Sequence, residues 1–158
     1  MTGLQLTIGA MNAEQRAALT SKLRGGAPAP VIPFAQPGSL TRVIAVASGK
    51  GGVGKSTTAV NFALALSTRG LKVGILDADI YGPSLPRLMG ISGRPKQIDG
   101  RIIVPMENYG LKVMSMGFLV DEEAAMIWRG PMVQSALLQM LREVAWGDLD
   151  VLVVDMPP

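Results

Sequence analysis

A glycine-rich segment, GKGGVGKS at residues 49–56, has the residue types and spacing of a phosphate-binding loop. It fits the pattern G-x-x-x-x-G-K-[ST] at every fixed position. Its glycines allow positive φ angles, so backbone N–H groups can approach phosphate oxygens. The alternative is a glycine-rich turn without a ligand. A strand is predicted before the loop and a helix after it, and this context favours a nucleotide site.

Three residues at the end of the loop have expected tasks. Lys55 is placed to reach the β- and γ-phosphates, Ser56 to bind Mg²⁺, and Thr57 to contact the α-phosphate. ATP and Mg²⁺ are therefore the expected ligands. The predicted nucleotide-binding residues are Gly49, Lys50, Gly51, Gly52, Val53, Gly54, Lys55, Ser56 and Thr57.

Three aspartates at predicted strand ends are the candidate metal and water ligands. Asp77 and Asp79 follow the second strand and are two residues apart, so both can face one side and share a magnesium–water network. Either could instead cap the next helix. Asp155 follows the apolar run VLVV, which is the Walker B arrangement that holds Mg²⁺ directly or through water.

The amino-acid composition excludes several other kinds of site and reaction. The 158 residues include no cysteine and no histidine, which excludes disulfides, thiolate metal sites and an imidazole base within this chain. The net charge of +3 arises entirely in residues 1–42, where four basic residues face Glu14. No basic stripe and no apolar run of about 18 residues is present, so neither nucleic acid nor a membrane is an expected partner. No secretory signal is recognised, and a cytoplasmic location is expected.

Alternating strands and helices predict an α/β fold, with a mostly parallel sheet, right-handed crossovers and helices on both faces. Since Pro158 follows a buried strand, we expect the sheet to be incomplete at the C-terminus, with Val151–Val154 near its open edge. Strands are predicted at 4–8, 43–47, 72–76, 111–116 and 151–154, a hairpin at 102–105, and helices at 14–22 (capped by Asn12), 57–68, within 80–89 and from 131 to about 146.

Lys50 adds information beyond an ordinary phosphate-binding loop. The pattern K-G-G-x-G-K-[ST] resembles the signature of the deviant Walker A ATPases of the P-loop NTPase class. In that family the signature lysine reaches across a dimer to the phosphates of the other subunit; the alternative is a solvated loop lysine. The resemblance implies that Lys50, Lys55 and Asp79 are catalytic, with Asp79 orienting the attacking water, and that Ser56, Asp77 and Asp155 serve magnesium. Which of Asp77 and Asp79 orients the water stays open.

Four stretches together resemble the Mrp/ApbC branch of that family, the iron–sulfur cluster carrier ATPases. They are GKGGVGKSTT, LDADIYGPSLPRLMG, WRGPM and GDLDVLVVDMPP, and the resemblance runs from about Thr41 to the last residue. It implies an ATP-hydrolysing homodimer that carries a 4Fe–4S cluster and delivers it to apo-proteins, with cluster-assembly proteins as further partners. Arg129, in WRGPM, is not placed in the site.

The resemblance also divides the chain. Residues 1–24 resemble the tail of a small iron–sulfur-assembly domain, residues 25–38 form a Pro/Gly linker, and residues 39–158 resemble the N-terminal part of the ATPase domain. The family's cluster ligands are a C-x-x-C pair downstream of DMPP. This chain contains no such pair, so the 4Fe–4S cluster is expected only in a full-length protein.

Two other functions fit parts of the pattern. A positioning ATPase of the ParA or MinD type would need a C-terminal amphipathic helix or a basic face. A regulatory nucleotide-binding module without turnover would need only the phosphate-binding loop.

Overall fold

A computed structural model of the chain describes residues 11–23, 31–100, 102–119 and 130–158. The chain forms two compact units, Met1–Val31 and Ile32–Pro158. The described part of the first unit contains α1 (Ala13–Leu23). The predicted Asn12 cap is present: Gln15 N donates to Asn12 Oδ1 at 2.8 Å, and Asn12 N donates to Gln15 Oε1 at 3.0 Å. The predicted strand at 4–8 lies outside the described residues, as does Arg129.

The second unit is built around one five-stranded sheet. Its strands stand in the order β1-β7-β2-β6-β5, and all neighbours are parallel except β5 and β6. The strands are β1 (Arg42–Val46), β2 (Val73–Asp77), β5 (Met106–Asn108), β6 (Leu111–Ser115) and β7 (Val151–Asp155); β3 (Gln97–Ile98) and β4 (Ile102–Ile103) form a separate antiparallel pair. The helices are α2 (Lys55–Ser67), α3 (Leu85–Leu88) and α4 (Gly130–Arg142), and short 3-10 turns span Pro33–Ala35 and Met116–Phe118.

The expectation for the open edge of the sheet was wrong. β7 lies between β1 and β2, and Val151 pairs with both Arg42 and Val73. All five residues of β7 are buried. β1 is the edge strand of the described sheet, and Val43 in it is 49% exposed. The reason is strand order, which places β7 inside the sheet although it comes last in the chain.

Apolar side chains cover both faces of the sheet, as a doubly covered α/β fold requires. On one face, Ala59, Val60 and Ala63 of α2 pack against alternate residues of β2 and β7. On the other face, Ala136 and Met140 of α4 pack against the remaining alternate residues of those strands. The predicted α/β fold with helices on both faces is therefore confirmed.

Two local differences from the predicted elements have identifiable causes. α4 ends at Arg142, not near Trp146, because the next residues form hydrogen bonds with Ile103: Ile103 N donates to Glu143 O at 2.7 Å and Ala145 N donates to Ile103 O at 2.8 Å. The antiparallel edge strand β5 was not predicted. It joins β6 through Tyr109 and Gly110, which both have positive φ, as a two-residue hairpin turn requires.

Helix length bears on the membrane question. Among the described helices, none combines the length and the apolar character needed to cross a membrane.

Candidate active site

An open cleft of about 500 Å³ lies at the carboxyl ends of the parallel strands. One wall is the glycine-rich loop between β1 and α2. The second wall comes from the segment that follows β2 and from α3, and it includes Asp79 and Arg87. Ligands of open α/β sheets bind at this end of the strands, so the fold presents both walls to one ligand.

The glycine-rich loop adopts a backbone that favours glycine at two positions. Gly52 has φ of 73° and Gly54 has φ of 84°, and a Cβ atom at either residue would meet no other atom within 4 Å. The limit there is conformation, since side chains rarely adopt these angles. Gly54 is also the residue before α2, so the free N–H groups of the first helical turn lie beside the cleft. An anion in the cleft would meet these donors.

Lys55 and Asp155 form a buried ion pair at the base of the cleft. Their side chains are 8% and 0% exposed, and the ammonium donates to Asp155 Oδ1. Lys55 Nζ also lies 3.4 Å from the Ser56 hydroxyl. The other oxygen, Asp155 Oδ2, is buried and has no hydrogen-bond partner among the described residues. A buried carboxylate oxygen without a partner fits a Mg²⁺ ion or its bound water, because Mg²⁺ prefers oxygen ligands.

Sheet register brings the predicted carboxylates together. In the last row of the sheet, Asp77 pairs with Asp155 on one side and with Ser115 on the other. Asp77 and Asp155 therefore lie side by side at the carboxyl end of the sheet, although their side chains contact different groups.

Asp77 is fully buried, and both of its oxygens accept hydrogen bonds from the protein. Oδ1 accepts from Asp79 N at 3.1 Å. Oδ2 accepts from Ser84 N at 3.0 Å, Leu85 N at 3.1 Å and the Ser115 hydroxyl at 3.2 Å. This is the helix-capping alternative, since Ser84 and Leu85 stand at the start of α3. Burial raises the pKa of Asp77 to about 6, against the opposing effect of the backbone N–H groups of Leu85 and Asp79.

Asp79 differs from Asp77 in being only half-buried and in lining the cleft. Its Oδ1 accepts from Gly82 N at 3.2 Å, which holds the carboxylate against the following turn. Of Asp77, which ends β2, and Asp79, which follows it, Asp79 is therefore the one that a ligand in the cleft can contact.

Most of the predicted nucleotide-binding residues line the cleft: Lys50, Gly51, Gly52, Gly54, Lys55, Ser56 and Thr57. Gly49 and Val53 do not, and Val53 is 50% exposed at the loop surface. Sequence reasoning missed Ser84, Arg87 and Leu88 on the second wall. The only sequence signal for them was the position of YGPSLPR directly after Asp79, because a four-residue helix has too few turns to show a period.

Residues 39–158 match the family described as the NUBPL iron-transfer P-loop NTPases, within the ParA group. The chain belongs to this family. The match covers the sheet, the phosphate-binding loop and both walls of the cleft. The predicted resemblance to iron–sulfur carrier NTPases is thereby confirmed.

Individual relatives agree with the family. An iron–sulfur cluster carrier protein of Mycobacterium leprae is 54% identical over 155 residues, which is 98% of this chain and 40% of the relative. The Escherichia coli K12 protein of the same name is 58% identical over 126 residues, or 78% of this chain and 34% of the relative. The chain thus spans about 40% or less of the length of these curated relatives.

A solved structure supports the fold and the type of site. A nucleotide-binding protein from Archaeoglobus fulgidus, in complex with ADP, is 41% identical with a TM-score of 0.64. The similarity covers 75% of this chain and 46% of that protein. The P-loop NTPase fold of this chain is therefore supported by sequence and structure together.

Proposed function

We propose that this chain binds ATP with Mg²⁺ and hydrolyses it, as the nucleotide-binding part of an iron–sulfur cluster carrier. The observation that carries the proposal is the cleft in which the glycine-rich loop, the first turn of α2 and the Lys55–Asp155 pair converge. Membership of the NUBPL family and the names of the relatives support an iron–sulfur cluster as the cargo of the longer protein.

Each group has a task in the proposed reaction. The loop N–H groups and Lys55 bind the β- and γ-phosphates, so the ammonium leaves or shares its contact with Asp155 when ATP binds. Ser56 and Asp155 would hold Mg²⁺, which neutralises charge on the phosphates. A water molecule attacks the γ-phosphorus, its proton passes to Asp79 or to the phosphate, and the bond to the β-phosphate oxygen breaks to give ADP and phosphate.

The hydrogen bonds of Asp77 favour a positioning task over a metal contact. Within the described part of the chain, Asp77 accepts four hydrogen bonds from protein donors, whereas Asp155 Oδ2 has no partner there. We therefore propose Asp155 and Ser56 as the magnesium ligands, and Asp77 as the residue that fixes the start of α3.

The carrier part of the proposal extends beyond these residues. A 4Fe–4S cluster is held by cysteine thiolates, and this chain has no cysteine. We propose that the cluster is bound by a homodimer of the longer protein, through the expected C-x-x-C pair, and passed to apo-proteins in the cytoplasm.

The experiment compares this chain with a protein that continues through the expected C-x-x-C pair. We expect both to bind a fluorescent ATP analogue in the presence of Mg²⁺, and only the longer protein to gain cluster absorbance after reconstitution with iron and sulfide. Phosphate release measured on both separates an ATPase from a binding module without turnover. Cluster absorbance on the 158-residue chain would contradict the cysteine argument, and absence of nucleotide binding by both proteins would contradict the assignment of the cleft.

A further inference from the structure

The second wall of the cleft carries polar groups for which the proposed reaction has no task. They are Ser84 and Arg87, which line the cleft together with Asp79. They belong to a short segment that starts directly after β2. Two observations on this wall, one on Ser84 and one on Arg87, point to an anionic ligand.

The Ser84 hydroxyl is a buried polar atom without a partner. Its Oγ forms no hydrogen bond with any described residue, although the residue itself lines the cleft. Buried hydroxyl groups in proteins nearly always have a hydrogen-bond partner. A ligand oxygen in the cleft, or a water bound to it, would supply the missing partner.

Arg87 is an exposed cation that lines the same cleft. Within the described part of the chain Arg87 forms no ion pair, unlike Lys55, which pairs with Asp155. A guanidinium group presents a planar set of donors that matches phosphate oxygens. Arg87 therefore brings to the second wall of the cleft a positive charge that an anionic ligand can use.

The wall that carries these groups is fixed in place before any ligand binds. The buried Asp77 accepts hydrogen bonds from Ser84 N and Leu85 N, and Leu85 is fully buried. Pro86 stands in the first turn of α3, where its ring restricts φ. Arg87 therefore extends from an ordered backbone, and less conformational entropy is lost when it binds a ligand.

We propose that Arg87 binds the terminal phosphate of a nucleoside triphosphate bound to the same chain, and that the Ser84 hydroxyl donates to that phosphate directly or through one water. The inference rests on the proposed ATP-binding function. The terminal phosphate, which the loop N–H groups and Lys55 are also proposed to contact, is favoured because of its neighbour on this wall. The second wall also holds Asp79, which is proposed to contact the attacking water beside the terminal phosphate.

The test measures the affinity for ATP and for ADP, each with Mg²⁺, in the wild type and in Arg87→Ala, Arg87→Lys and Ser84→Ala. Arg69→Ala is the matched control, because it removes the same charge from an exposed residue that follows α2 and does not line the cleft. We expect Arg87→Ala to weaken ATP binding by about tenfold or more, the usual effect of losing a charged hydrogen bond, with ADP binding nearly unchanged. Arg87→Lys should lose less, Ser84→Ala should lose ATP affinity only, and Arg69→Ala should match the wild type.

The outcomes separate this inference from the function on which it rests. If the wild type binds neither nucleotide, the ATP-binding function itself fails. If the wild type binds both and Arg87→Ala changes neither affinity, or lowers both equally, the terminal-phosphate contact is wrong while the phosphate-binding loop stands. A loss specific to ATP that occurs only in a dimer would place Arg87 on the partner's phosphate, and would overturn the contact within one chain.

Discussion

The Lys55 ammonium can pair with two anionic groups, the carboxylate of Asp155 and the phosphates of the proposed ligand. Its contact with Asp155 is almost fully withdrawn from water. Removing one member of a buried ion pair leaves the other charge uncompensated, which typically costs about 3–5 kcal/mol. Loss of ATP binding in a Lys55 variant would therefore not by itself separate a missing phosphate contact from a destabilised fold.

A double variant resolves this ambiguity. Lys55→Ala should abolish ATP binding and lower the free energy of unfolding by roughly 3–5 kcal/mol, because Asp155 becomes a buried unpaired charge. Lys55→Ala combined with Asp155→Asn should recover a large part of that stability without recovering ATP binding. Denaturant titration and equilibrium binding of a fluorescent ATP analogue measure the two quantities. ATP binding by the refolded double variant at wild-type affinity would rule out the phosphate contact of Lys55.

Asp77 gives the stability of the fold a definite pH dependence. Its pKa is raised from 3.8 to about 6, chiefly by burial. Between about pH 4 and pH 6 the folded protein holds a proton on Asp77 that the unfolded chain has released, so the free energy of unfolding falls as pH rises through this window. Above about pH 6, Asp77 is ionised in both the folded and the unfolded state, and the full cost of burying its charge lowers the free energy of unfolding.

Asp77→Asn should remove this dependence, because the amide does not ionise. Between pH 4 and pH 7 the difference in unfolding free energy between the wild type and this variant should change by about 2 kcal/mol, in favour of the wild type at low pH. Urea denaturation at several pH values measures it, with Asp148→Asn, which removes an exposed carboxylate, as the matched control. The same pH slope in wild type and Asp77→Asn would mean that Asp77 is not the titrating group.

At the scale of elements, the sequence predicts those features that are set by residues close together in the chain. The phosphate-binding loop, the Asn12 cap and the strands that end at Asp77 and Asp155 all follow from local spacing. Strand order does not, because pairing β7 with both β1 and β2 depends on contacts about 80 to 110 residues apart in the chain. The capping of α3 by Asp77 is a local contact, seven and eight residues along the chain, and the sequence offers it as an alternative. The second wall of the cleft was missed because the four-residue α3 is too short to show a period.

Gly74, in the middle of β2, lies close against the segment between α4 and β7. A Cβ atom there would lie 2.7 Å from Leu149 Cδ1 and 3.0 Å from the Trp146 ring. Both neighbours are buried. Glycine at this position therefore serves close packing, although a strand interior usually favours larger residues.

We predict that Gly74→Ala lowers the free energy of unfolding by roughly 1–3 kcal/mol, the usual cost of overpacking. Combining it with Leu149→Ala should cost less than the sum of the two single changes, because the second substitution removes the 2.7 Å contact. Thermal or denaturant unfolding of the four proteins completes the cycle. Strict additivity would show that the added methyl group does not meet Leu149.

At the scale of the whole molecule, the open question is whether one chain completes its own site. Lys50 and Asp79 line the same cleft, and Lys50 is exposed. A solvated lysine of one chain can serve its own cleft or, as the family resemblance implies, the phosphates of a partner chain. The two arrangements predict opposite results when variants are mixed.

Lys50→Ala and Asp79→Ala should each retain ATP binding but lose most hydrolysis, since neither removes the loop N–H groups or Lys55. If Lys50 acts on the partner's phosphates, a mixed dimer has one site with Asp79 from its own chain and Lys50 from the other, and one site with neither. With random assortment, an equal mixture should then recover about a quarter of wild-type phosphate release. Mixing Lys50→Ala with the double variant Lys50→Ala/Asp79→Ala is the matched control, because no site in that mixture receives Lys50. If the first mixture releases phosphate no faster than this control, although the subunits are shown to exchange, Lys50 serves its own chain and the site does not need a second copy.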